Sequence, residues 1–159
     1  MATAFGESVS VAGRFFDLKV YVQELTSDGD IKELAATLRH QGQDGLLSAL
    51  KKIKYKGRVA PNGSVGTRMR VVRIHPTKDG GQHIVLATNL LISSRDDLLR
   101  RECSSNDYIS IVELDIDKDG KGTGSYAPLS TVKFNDKNEL EIEHYCRTLY
   151  RLANVYRQK

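Results

Sequence analysis

The amino-acid sequence predicts an α+β protein in which antiparallel β-strands predominate and a two-helix hairpin is inserted after the first strand. Residues 27–57 are the only long stretch with helical periodicity, and short segments of alternating apolar and polar residues occupy most of the remainder. Beyond this stretch, turn-forming residues recur at intervals of about ten residues, which is typical of an antiparallel meander. Such a meander either closes into a barrel or remains an open, curved sheet packed on the helices.

The first predicted strand spans 16–23, where apolar and polar residues alternate strictly. It leads into a turn at 27–29. Residues 1–8 show no comparable pattern, and we expect them to form a flexible start. The strand therefore precedes the helical stretch.

The helical hairpin is predicted over 27–56. Ser27 and Asp30 have the spacing of a capping box, so the first helix should begin near Asp28. Gly42 is placed to end this helix in a left-handed conformation, and a second helix should follow as far as Gly57. The two apolar stripes are Ile31, Leu34, Ala35 and Leu38, then Leu46, Leu47, Leu50 and Ile53. Helices this short are marginal alone, so both stripes must pack on the sheet.

The strands that follow are predicted within 57–157. Segments 67–74 and 83–92 flank a loop with two glycines and form the clearest hairpin. Residues 84–92 are apolar on both faces, which indicates a central strand with the helices over one face. The other expected strands are 58–60, 108–117, 123–127, 129–134, 139–145 and 149–156, with a short helix within 94–103.

Length and composition favour one domain over residues 1–159, since the chain is 40% hydrophobic and no linker divides it. Its longest apolar run is far shorter than the roughly 18 residues of a membrane helix. The first residues do not have the pattern of an uncleaved signal peptide. Cys103 and Cys146 are too few for a disulfide framework; two thiols and one disulfide are both compatible with the sequence.

Charge is unevenly distributed along the chain. The net charge is +4, yet residues 45–78 contain nine bases and no acid, which leaves −5 for the rest. One interpretation is that acids and bases on adjacent strands neutralise one another. The other is a basic face for an acidic partner or a polyanion. The candidate residues are Lys51, Lys52, Lys54, Lys56, Arg58, Arg68, Arg70 and Arg73.

Two patterns resemble metal sites. Asp115, Asp117 and Asp119 precede Gly120 with the opening spacing of a calcium loop, but Tyr126 replaces the bidentate glutamate at the twelfth position, so a hairpin turn with solvated acids also explains them. His75 and His83 should lie opposite each other if their hairpin centres on Asp79. Two imidazoles without a third ligand make a weak site.

No catalytic constellation is present in the sequence. Ser64 lies in a turn rather than a nucleophile elbow, and no helix follows the glycines of 120–124 to present its N-terminus to a phosphate. No recognition helix or aromatic stacking motif supports sequence-specific binding of nucleic acid. The sequence thus favours a non-enzymatic protein without a cofactor.

Four segments carry a resemblance: 42–47 (GQDGLL), 79–86 (DGGQHIVL), Tyr108 with 111–114 (IVEL), and 140–145 (LEIEHY). In this order they resemble a group of uncharacterised bacterial proteins usually made with an export signal. The chain departs from that group at 89–91 and 147–149, where the group tends to have proline. The resemblance implies an extracytoplasmic location and supplies no active-site residue.

Three functional hypotheses follow. The first is a non-enzymatic exported domain that binds a protein partner or a small apolar ligand. The second is a polyanion-binding module that uses the basic stretch 51–73. The third is a hydrolase, in which Glu113 or His83 would be the residues to test.

Overall fold

The computed structural model describes residues 2–7, 15–61, 64–90, 92, 108–134, 136, 140–145 and 149–158. These ranges contain one helix, α1 (Asp28–Leu50), and ten strands. The strands are β1 (Ala2–Glu7), β2 (Phe15–Val22), β3 (Gly57–Pro61), β4 (Thr67–Met69), β5 (Val71–Pro76), β6 (Gln82–Thr88), β7 (Ile109–Ile116), β8 (Lys121–Phe134), β9 (Leu140–Tyr145) and β10 (Tyr150–Arg157).

The strands follow the order β4-β3-β2-β1-β10-β8-β7-β6-β5, and β9 pairs with β8 beside this path. Every pairing among them is antiparallel, which confirms the predicted α+β class. Within the described residues no ladder joins β4 to β5, so a closed barrel is not found. The two strands are nevertheless consecutive in the chain, with Arg70 between them.

The start of the chain was predicted wrongly. Residues 2–7 form β1, which lies between β2 and β10 instead of being a flexible start. A strand of six residues has a weak pattern of its own, and its main-chain partners come from both ends of the chain. The helical stretch consequently follows the second strand. The predicted strands 123–127 and 129–134 are likewise one long strand, β8.

The predicted helix within 94–103 and both cysteines lie outside the described residues. No helix in the described part of the chain has the length and apolar character needed to span a membrane.

Helix α1 begins where the capping pattern predicts. The Ser27 side-chain oxygen accepts a hydrogen bond from the Asp30 backbone N–H at 3.1 Å. The two-helix hairpin is not confirmed, because residues 28–50 form a single helix with a kink. Gly42 alone leaves the helical region, with φ 67° and ψ −162°, and no loop follows to separate two helices. Its φ is positive as predicted, but its ψ lies outside the left-handed helical region.

The helix is attached to the sheet immediately after the kink. The Gln43 side-chain amide donates to the Ser130 carbonyl at 3.5 Å and accepts from the Val132 N–H at 3.2 Å. It therefore pairs with the backbone of β8 much as a neighbouring strand would. This contact positions the second half of α1 over the sheet.

Two apolar clusters lie on opposite faces of the sheet. The sheet core consists of Leu18, Val20, Val59, Met69, Val72, Ile84, Leu86, Ile92, Val112, Leu114, Ile116, Tyr126, Leu152 and Val155, each at most 5% exposed. The helix core joins α1 to the other face and consists of Leu34, Leu38, Leu46, Leu47, Leu50, Val71, Ile109, Ile111, Ala127 and Val132. Helical residues thus pack on one face of the sheet, as predicted, and on β6 the residues Val85 and Ala87 are partly buried against this cluster.

Gly42→Ala should destabilise the protein by about 1–3 kcal/mol, because a residue with a Cβ is strained at this combination of φ and ψ. Urea denaturation followed by circular dichroism would measure the change. Gly29→Ala is the matched control, since it lies in the first turn of the same helix without a positive φ. Equal stability of the two variants would contradict the strain.

Candidate polyanion-binding surface

Four side chains form a row across the outer face of β2, β3 and β4. Tyr21, Arg58 and Arg68 are directly opposite partners in adjacent ladders. Side chains alternate between the two faces of a strand, and because Val59 and Met69 belong to the sheet core, Arg58 and Arg68 point away from it. Tyr55, from the segment after α1, completes the row. We call Tyr21, Arg58, Arg68 and Tyr55 the Arg–Tyr row.

Each arginine of the row lies over a tyrosine ring. The guanidinium carbon of Arg58 is 4.5 Å from the Tyr21 ring centroid, and that of Arg68 is 4.9 Å from the Tyr55 centroid. Two like charges on opposite residues of a ladder normally repel each other. A cation over an aromatic face recovers about 0.5–1 kcal/mol at an exposed site, which offsets part of that repulsion. The rings therefore help to hold the two guanidinium groups side by side.

Neither guanidinium of the row has an acidic partner in the described part of the chain, where no carboxylate lies within 4.0 Å of Arg58 or Arg68. The contact with a ring involves the π face of the tyrosine and does not use the guanidinium N–H groups as hydrogen-bond donors to a carboxylate. The N–H edge of a guanidinium matches two oxygens of a phosphate or carboxylate. The row can therefore accept an anion without first breaking an ion pair.

Arg70 has a different role from the other predicted basic residues. Its guanidinium donates to the carbonyl oxygens of Lys51 at 3.0 Å and Ile53 at 2.6 Å, and to Asn89 Oδ1 at 2.6 Å. It thereby holds the segment after α1 against the junction of β4 and β5. Its guanidinium carbon is also 4.6 Å from the Tyr55 centroid, so Arg70 positions the row.

Arg73 and Lys56 also have intramolecular partners. Arg73 donates to the Thr26 carbonyl at 2.9 Å and pairs with Asp28 at 2.8 Å, at the start of α1. Lys56 pairs with Glu24. Of the eight predicted residues, those without a carboxylate partner among the described residues are Lys51, Lys52, Lys54, Arg58, Arg68 and Arg70, and the Arg70 guanidinium is already bound to main-chain carbonyls and Asn89. The structure thus divides the predicted set into anchoring and available cations.

A groove of 480 Å³ is lined in part by lysines of the segment that carries Tyr55. It lies along α1 and is lined by residues from both sides of the kink, so we call it the helix groove. Asp30 and Glu33 line it before the kink, and Lys52 and Lys54 line it beyond the end of the helix. The lysines of the groove and Tyr55 of the row belong to the same short segment after α1.

The calcium-like pattern is a turn in the structure. Asp117 Oδ1 accepts the backbone N–H groups of Asp119 and Lys121, both at 2.9 Å, and Gly120 has a φ of 82°. Asp115 instead faces His83, with 2.6 Å between Oδ1 and Nδ1. No group of three or more His, Cys, Asp or Glu side chains in the described part of the chain is arranged to hold a metal ion.

His75 and His83 lie directly opposite each other in the β5–β6 ladder, as predicted from the hairpin centre. Glu113 lies opposite Val85, two residues away from His83, so Asp115 and not Glu113 is the carboxylate beside this imidazole. The residues named for a hydrolase are therefore not brought together as a pair.

Among the described residues, two titratable groups have a pKa that is shifted by their surroundings. Burial in the sheet core raises the pKa of Tyr126, and the neighbouring Tyr150 adds to this effect. The Tyr126 hydroxyl donates to the Ile92 carbonyl at 2.9 Å, so the group is structural. A hydrogen bond from the Thr77 hydroxyl lowers the pKa of Asp79, which is exposed in the β5–β6 loop. Neither group belongs to the Arg–Tyr row.

Comparisons of the chain with protein-family models, with curated proteins and with solved structures gave no match. A functional assignment therefore depends on the geometry of the row and its surroundings. Tyr21 and Tyr55 are the residues of the row that the sequence did not single out as ligands. Alternation placed Tyr21 on the polar face of its strand, but only the strand order shows which arginine lies beside it.

Proposed function

We propose that this protein binds polyanions through the Arg–Tyr row, and that single-stranded nucleic acid is the class that suits it best. The observation that carries the proposal is the side-by-side arrangement of Arg58 and Arg68, each over a tyrosine ring and neither paired with a carboxylate among the described residues. Such a pair supplies adjacent positive charges to successive anionic groups of a polymer.

The tyrosines favour nucleic acid over other polyanions. Proteins that bind single strands without sequence preference combine basic grooves with aromatic side chains, and base stacking contributes about 1–3 kcal/mol per base. Tyr55 is 38% exposed beside the guanidinium groups of Arg68 and Arg70, so a base can contact the exposed part of this arginine–tyrosine cluster. Lys51, Lys52 and Lys54 extend the positive charge from this ring along the adjoining segment.

The double variant Arg58→Gln/Arg68→Gln should bind single-stranded DNA more weakly and with a shallower salt dependence. If each arginine contacts one phosphate, the steepness of the plot of log K against log salt should decrease by about 1.4, because each contact with a single strand contributes roughly 0.7. Fluorescence anisotropy of a labelled oligothymidylate, at salt concentrations from about 50 to 200 mM, measures this slope.

Arg151→Gln/Lys118→Gln is the matched control, because it removes the same charge at exposed positions on β10 and in the β7–β8 turn. Equal slopes for the two double variants, or no binding by the unmodified protein at low salt, would overturn the proposal. Tyr55→Leu separates the polymer classes. It should weaken binding of the oligonucleotide more than binding of heparin, which has no bases to stack.

The other hypotheses stay predictions. Export rests on the resemblance alone. A small apolar ligand would need an apolar cavity, whereas the sheet core is packed with buried side chains and the helix groove has charged residues along it. The groove suits a polar ligand better than an apolar one.

A further inference from the structure

A second side-chain row lies on three other strands of the sheet. His75 on β5 is opposite His83 on β6, and His83 is opposite Asp115 on β7. Opposite residues of a ladder have Cβ atoms about 4.5–5.5 Å apart, close enough for two imidazoles to approach one point. His75 is exposed and the His83 side chain is 34% exposed, so both can reach an ion from solvent.

The orientation of His83 is set by Asp115. Its Nδ1 lies 2.6 Å from Asp115 Oδ1, and a carboxylate can only accept a hydrogen bond there, so Nδ1 carries the proton. In the neutral imidazole the lone pair is then on Nε2. This is the arrangement found around metal-binding histidines, where a carboxylate fixes the tautomer and increases the basicity of the ligating nitrogen.

We propose that His75 and His83 form a binding site for a divalent transition metal ion, with Asp115 as the residue that orients His83. Two nitrogen ligands favour Cu²⁺, and next Ni²⁺ or Zn²⁺, over Ca²⁺ or Mg²⁺, which prefer oxygen. Water occupies the other coordination positions, consistent with the lack of a three-ligand group among the described residues. The site is separate from the Arg–Tyr row and does not depend on the proposed function.

Isothermal titration with Cu²⁺ and with Ni²⁺ tests the site, in a background where His40 and His144 are replaced by glutamine. We expect one ion per chain, and a loss of at least about tenfold in affinity on His75→Ala or His83→Ala, because each removes one of two ligands. The double variant His75→Ala/His83→Ala should lose the site. If this double variant binds either ion as tightly as the background does, the proposal is wrong.

Asp115→Asn tests the role of the carboxylate beside His83. It should weaken Cu²⁺ binding by about 10–100-fold, the usual cost of removing a carboxylate behind a ligating histidine. The electron paramagnetic resonance spectrum of bound Cu²⁺ should still show coupling to two nitrogen nuclei, because both imidazoles remain. A change in the number of coupled nitrogens, or an unchanged affinity, would overturn the role assigned to Asp115.

Discussion

Gly122→Ala is expected to destabilise the protein by about 3 kcal/mol or more. An extra methyl group in a packed site usually costs about 1–3 kcal/mol, and at this position it would clash with main-chain atoms, which cannot move aside as a side chain can. Gly122 lies on β8, opposite Ile116 of β7. An ideal Cβ at this position would overlap the Asp115 carbonyl oxygen, a contact that no side-chain rotation can relieve. The strands β7 and β8 would have to separate locally, and β7 also carries residues of both cores.

Urea denaturation of the variant would measure this loss. Gly29→Ala is the control, because the nearest atom to its ideal Cβ is Ser27 Oγ at 3.7 Å. Alanine is favoured over glycine within a helix by about 1 kcal/mol, so the control should be neutral or slightly stabilising. Unchanged stability of Gly122→Ala would mean that β7 and β8 are not in this register.

Leu50→Ala is expected to cost about 2–5 kcal/mol of unfolding free energy, the range for truncation of a buried leucine. Leu50 is 2% exposed and belongs to the helix core, where the end of α1 packs on the sheet. The truncation removes apolar contacts and leaves a cavity that the rigid strands beneath can only partly fill. Loss of this packing should also loosen the adjoining segment that carries Tyr55.

Denaturant unfolding would again report the change, with Leu25→Ala as the control. Leu25 is 49% exposed, so its truncation should alter stability by no more than about 0.5 kcal/mol. A cost near zero for Leu50→Ala would show that α1 is not docked on the sheet in solution.

The local features of this protein were predictable from neighbouring residues. Ser27 and Asp30 placed the start of α1, the apolar residues on both faces of 84–92 indicated a central strand, and the loop glycines placed His75 opposite His83. Each of these depends on interactions across a few residues, or across one short turn. The basic stretch was equally visible, because charge can be read directly from composition.

The predictions that failed concern contacts between distant residues. Nothing within residues 2–7 indicates that β1 pairs with β10, about 150 residues later. The kink at Gly42 joins segments that were predicted as two helices. The contacts of Gln43 with β8 join residues that are 87 and 89 positions apart in the chain. Side-chain periodicity identifies which face of a strand is buried, but it does not indicate which strand lies beside it.

The sequence by itself determined the class of the fold, most of its strands and the presence of a basic region. Only the tertiary structure decided which bases are available. Arg70 and Arg73 form hydrogen bonds that anchor the two ends of α1, whereas Arg58 and Arg68 are held beside each other on tyrosine rings. The physical reason is that a guanidinium bonded to an acceptor of the same chain is not available to a ligand. The order of the strands decides which acceptors lie within hydrogen-bonding distance of each arginine.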